Sequence, residues 1–148
     1  MDSFLSASGL LIKRLRSQQV TDNNKIRPAP SAAWAIKNAL DGAVNVVFFD
    51  DIPDESQGGQ RARGKVQTSR QLWLIIVSAK NVADAGTAAS LDAGIIMLRT
   101  LVALQGHQLS PEHQELQRKK SPYRAVYENG FAHLPALLST QIITIGKG

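Results

Sequence analysis

Three groups of residues in this 148-residue chain are of types that could do chemistry. The run Gly59-Gln60-Arg61-Ala62-Arg63-Gly64-Lys65-Val66 fits the phosphate-cradling P-loop pattern at every position but the last. That motif needs a strand directly before it, a helix directly after it and a hydroxyl for magnesium. Here the preceding apolar run ends at Phe49, the following segment reads as a strand, and Val66 has no hydroxyl. Nucleotide binding is therefore not expected. His107, His113 and His133 are the three histidines, and His107-x5-His113 lacks an evident third ligand for zinc. They read as solvated loop residues. Asp50, Asp51, Asp54 and Glu55 could hold a cation through adjacent carboxylates, but acidic residues where a strand enters a loop read first as turn formers. No Gly-x-Ser-x-Gly nucleophile elbow occurs. Cysteine is absent, which excludes disulfides and thiolate metal sites. The sequence thus predicts a non-enzyme with no metal and no cofactor.

The elements that position these residues follow from periodicity. The length suits a single domain over 1–148, able to bury roughly 70% of the surface of its unfolded chain. Residues 3–17 read as a helix capped by Ser3, with Phe4, Ala7, Leu11 and Leu15 on one face. Lys13, Arg14 and Arg16 fall in its last turn, where cations complement the helix dipole. Residues 18–31, with Arg27-Pro28-Ala29-Pro30, read as a connector. Ser31 caps a second helix predicted over 32–40, and Trp34 in its first turn is core or interface.

Val44-Asn45-Val46-Val47-Phe48-Phe49 suits a buried strand and residues 66–80 a second, longer one, centred on Leu72 to Val77. Between them lies a polar loop with Pro53, Gly58, Gly59 and Gly64. Its composition predicts mobility over about 51–65, with order gained only on contact with another body. The longest helix lies within 81–105, capped by Asp84 and stopped by Gly106, with its core stripe at Leu91, Ile95, Leu98 and Val102. Residues 107–122 read as a loop. Segments 123–127 and 137–145 read as final strands around the turn signal Glu128-Asn129-Gly130. The fold class is α+β: a mixed, mainly antiparallel sheet of about four strands with the helices around Leu11 and Leu98 packed on one face.

The net charge of +5 invites a nucleic-acid reading. The basic residues are scattered, and aromatic residues, at 5%, do not interleave with them as a base-stacking platform requires. Met1-Asp2-Ser3-Phe4 has no basic region ahead of an apolar one, so no signal peptide is expected. No apolar run approaches the ~20 residues of a transmembrane helix.

The order of features resembles the tail terminator (tail completion) proteins of long-tailed bacteriophages. The likeness runs over residues 32–147. It is carried by the strands Val44–Phe49 and Gln71–Val77, the turn Lys80-Asn81, the helix end Leu101-Val102-Ala103-Leu104-Gln105-Gly106-His107, and the late segments Tyr127–Phe131 and Gln141–Thr144. The resemblance implies a structural virion protein: a homohexameric ring at the tail–neck junction, assembled in the host cytoplasm. Such a ring caps the tail tube, ends its polymerisation and joins it to the head connector, with phage DNA passing through the lumen without sequence-specific binding. Its implied partners are copies of itself, the tail tube protein and the connector or neck protein. The resemblance also makes the 51–65 loop an assembly or lumen segment, with Asp51, Asp54, Glu55, Gln60, Arg61, Arg63 and Lys65 as its polar residues. Alternative readings are another head–tail joining protein or a small basic nucleic-acid-binding domain.

Overall fold

The computed structural model of the chain describes residues 3–54, 66–80 and 87–146. Among them three helices surround a six-stranded mixed sheet, in the order α1 (Ser6–Ser17), β1 (Ile26–Ala29), α2 (Ala32–Lys37), β2 (Ala43–Pro53), β3 (Val66–Lys80), α3 (Thr87–Leu104), β4 (Gln117–Lys119), β5 (Val126–Glu128) and β6 (Phe131–Ile145). The α+β class holds, with six strands where about four were expected. The extra strands come from segments read as loops. Ile26–Ala29 pairs in parallel with Val44–Val47, and its proline is tolerated because β1 is the sheet edge. Gln117–Lys119 pairs with Leu137–Leu138–Ser139.

The sheet is built around β3, which pairs along its whole length with β6, from Val66 opposite Ile145 to Lys80 opposite Phe131. β2 flanks it on the other side and runs longer than its apolar run, because a bulge at Phe49 shifts the register between Phe48 and Asp50. Asp51, Ile52 and Pro53 are therefore strand residues paired with β3, not loop. β6 starts from a two-residue turn at Asn129-Gly130, where both residues take positive φ, as the hairpin requires.

Strand alternation sorts the core into two layers. Trp73, Ile75, Val77, Ala136 and Leu138 face α1 and α3, which supply Leu11, Leu15, Met97, Leu101 and Leu104. Leu72, Leu74, Ile76, Val47 and Leu137 face the opposite way, toward Ala32 and Ala35 of α2. So α1 and α3 share a face as expected, and the short α2 lies on the other. Ser31 caps α2, its Oγ accepting from the Trp34 backbone N–H at 3.1 Å. The helix stops at Lys37, short of Leu40, and the Asn38 side chain donates to the Trp34 carbonyl.

α1 begins at Ser6. Ser3 Oγ accepts from the Leu5 amide but does not cap the helix itself. Its basic residues do more than complement its dipole. Arg14 Nε donates to the Ala103 carbonyl at the end of α3 (3.0 Å), and Arg16 Nη2 donates to the Ile26 carbonyl of β1 (3.0 Å). Two arginines thereby tie α1 to α3 and to the sheet edge.

Candidate assembly surface

α3 departs most sharply from expectation. Its predicted core stripe faces outward: Leu98 is 64% exposed, Val102 is 74% exposed, and Ile95 is also exposed. The helix packs through Ala93, Met97, Thr100, Leu101 and Leu104 instead. At 100° per residue the outward side chains Asp92, Ile95, Leu98, Arg99 and Val102 fall within about 120° of the circumference. They form one apolar seam bordered by a carboxylate and a guanidinium. Two apolar stripes compete on this helix, and periodicity alone cannot assign one of them to the chain's own core. The side chain of Leu91 and the proposed cap Asp84 lie outside the described residues.

A second apolar surface lies at the far end of the sheet. β2, β3 and β6 run past α2, and among the described residues no helix covers that face there. Alternation and register put Ile52, Arg70 and Gln141 in one row, Thr68 and Ile143 in the next, and Val66 and Ile145 in the last. Ile52, Val66, Ile143 and Ile145 are all exposed. Asp50 lies on this face beside Leu72, and a shallow open groove runs over Ile52, Pro53, Thr68, Arg70 and Gln141. Among the described residues no strand pairs with the outer edge of β2 along this stretch, since β1 pairs only with Val44–Val47. Exposed aliphatic groups on a sheet face usually mark a surface that meets another body.

The expected assembly residues divide between these surroundings. Asp51 turns to the opposite face, beside Gln71, where its Oδ1 is buried without a hydrogen-bond partner. Asp54 continues the ladder: its amide donates to Thr68 O at 2.7 Å and its carbonyl accepts from Gln67 Nε2 at 2.8 Å. Glu55, Gln60, Arg61, Arg63 and Lys65 lie outside the described residues. Trp34 is half-buried against the α2 layer, with the Arg27 guanidinium 4.9 Å from its ring centroid. Arg27 Nε also donates to Asn45 Oδ1, so Trp34 belongs to a buried-edge cluster.

Val66 opens a strand, as expected, so the helix that a P-loop requires does not follow Lys65. Two of the histidines are not solvated. His113 and His133 are fully buried, with Ser110 Oγ and Ser78 Oγ 2.6 and 2.8 Å from their respective Nδ1 atoms. Desolvation holds both imidazoles below their ordinary pKa, and Glu112 and Glu128 respectively oppose that shift. Each Nε2 is buried without a partner. Among the described residues no three His, Asp or Glu side chains are grouped to hold a metal ion. No described helix is long and apolar enough to cross a membrane.

The family model for phage tail terminator proteins matches residues 1–146. The chain belongs to the phage tail terminator family. It is accordingly a structural protein of phage tails, and the family match takes in α1, which the sequence resemblance left out. Among solved structures it is similar to a chain in the virion of a native gene transfer agent particle. The TM-score is 0.60 at 15% identity, covering 95% of this chain and 99% of that one. At that identity the likeness concerns the fold. No curated protein matches the chain. A tail terminator has reason to leave apolar side chains in water, because its final environment is other protein.

Proposed function

We propose that this chain forms a homohexameric ring that caps the phage tail tube, ends its polymerisation and joins the tail to the head connector. The observation that carries this reading is the pair of exposed apolar surfaces in a chain of the tail terminator family, one along α3 and one on the bare end of the sheet. A small domain with two different sticky surfaces makes heterologous contacts, which generate a ring when the rotation closes. The partners in this reading are further copies of the chain, the tail tube protein and the connector or neck protein. DNA passes through the lumen without base recognition.

In this reading the polar segment from Asp51 to Lys65 supplies tube or lumen contacts, with Arg61, Arg63 and Lys65 as its cations. Changing these three to Ser leaves the thermal transition in place and weakens tube docking or DNA passage, seen as particles with faulty tails. The decisive experiment is electron microscopy of particles made without the protein. Overlong tails and unattached heads are expected. Tails of normal length on filled heads would exclude a terminator role. Submicromolar, steeply salt-dependent DNA binding by the free subunit would instead favour a nucleic-acid-binding domain.

A further inference from the structure

Among the described residues one helix face has no sheet against it and one sheet face has no helix against it. The outer stripe of α3 presents Ile95, Leu98 and Val102 to solvent, while the far end of β2, β3 and β6 presents Ile52, Val66, Ile143 and Ile145. The two cannot meet within one subunit. α3 packs on the Trp73 face, whereas these strand residues lie on the Leu74 face. Both surfaces are built from branched aliphatic side chains without aromatics, the composition by which a helix ordinarily packs on a sheet. An open groove beside them is lined by Ile52, Pro53, Asp54, Thr68, Arg70 and Gln141.

The charges bordering the two surfaces are complementary. Asp92 and Arg99 lie along one edge of the α3 stripe, seven residues apart and about 10 Å along the axis. Asp50 and Arg70 stand on neighbouring strands two places apart in register, a diagonal of about 7–8 Å. Each surface thus offers an anion and a cation at a spacing that side-chain reach can match, and on the sheet end Glu115 lines a second open pocket with Arg70 and Gln141.

We propose that the α3 stripe of one subunit docks across the bare sheet end of the next copy, with Asp92 meeting Arg70 and Arg99 meeting Asp50. The contact is heterologous, so every subunit uses both surfaces and a closed ring leaves neither exposed. This rests on the ring assembly proposed above and names the surfaces that form it.

The absence of cysteine allows a direct test. Leu98→Cys and Ile143→Cys sit at exposed positions, and each variant should melt as the parent does. Under mild oxidation a mixture of the two single variants yields disulfide-linked dimers. The double variant yields a ladder of multimers, and neither single variant links to itself. Self-linking of Leu98→Cys as efficient as in the mixture would overturn the pairing, because the stripe would then meet its own copy across a two-fold axis. No link in a sample that light scattering shows to be oligomeric would overturn the pairing while leaving the ring intact. A monomer without links at every concentration tested would overturn both. The second measurement is a charge swap. Arg70→Asp and Asp92→Arg each weaken association alone, and the double variant restores it. A double variant as weak as the sum of the singles overturns the proposed register.

Discussion

α1 and α3 pack side by side on the same face of the sheet, yet they treat their apolar residues in opposite ways. α1 buries Ala7, Leu11 and Leu15 of the stripe that its periodicity marks, while Phe4, the fourth member, precedes the helix and is exposed. α3 buries Ala93, Met97, Leu101 and Leu104, and turns Ile95, Leu98 and Val102 to solvent. The first helix has one apolar face and one place to put it. The second has two, and a single sheet can take only one. A helix apolar on both sides leaves one of them in water unless a second body covers it.

The sharpest way to break this contrast is to place the same charge in both helices. Leu11→Asp buries an unpaired carboxylate in the layer formed with Trp73 and Ile75, and the domain should fail to fold cooperatively, as read by circular dichroism melting. A folded, soluble Leu11→Asp variant would mean that α1 is dispensable to the core. Leu104→Ala tests the inward side of α3. The side chain is fully buried, so truncation should cost about 2–5 kcal/mol in chemical denaturation.

A smaller effect comes from pH. Burial holds His133 below its ordinary value of 6.5, so the unfolded chain takes up the proton more readily than the folded one. Stability is complete above about pH 6.5 and falls as the pH drops through the lowered folded value. His113 acts in the same direction. Melting temperatures between pH 7.5 and 5.5 should show the decline, and His133→Asn should flatten it. An unchanged slope would place the pH sensitivity elsewhere. Ser31→Ala, which removes the cap of the helix on the opposite face, should cost about 1 kcal/mol. Last comes Leu98→Asp, which should change stability by less than about 0.5 kcal/mol while abolishing oligomers in light scattering. An unfolded Leu98→Asp variant would return this stripe to the core and erase the comparison.

The sequence by itself determined the parts whose signal is local. Residues 66–80 form a strand because nine consecutive positions from Gln71 to Ala79 are buried on both sides, and such positions read as one apolar-rich run. Asn129-Gly130 forms a hairpin turn because both residues accept positive φ, and Gly106 ends α3 in the left-handed region for the same reason. Ser31 caps because its side chain reaches the amide three residues on. The family resemblance was legible for a similar reason: it rests on the order of such local elements.

Only the tertiary structure decided what depends on neighbours distant in sequence. Pro28 sits in a strand because β2 offers an edge to residues that carry no strand pattern of their own. Asp51 and Ile52 are strand residues because β3 is long enough to pair with them past the bulge. His113 and His133 are buried because β6 carries one and bridges the other through Ile142, which the residues adjacent to each histidine do not reveal. The outward stripe of α3 is the largest case. Spacing fixes that two apolar faces exist, and packing in the layer of Trp73 and Leu138 takes the one that carries Met97, Leu101 and Leu104 beside the small Ala93 and Thr100. The stripe of Ile95, Leu98 and Val102 is left exposed.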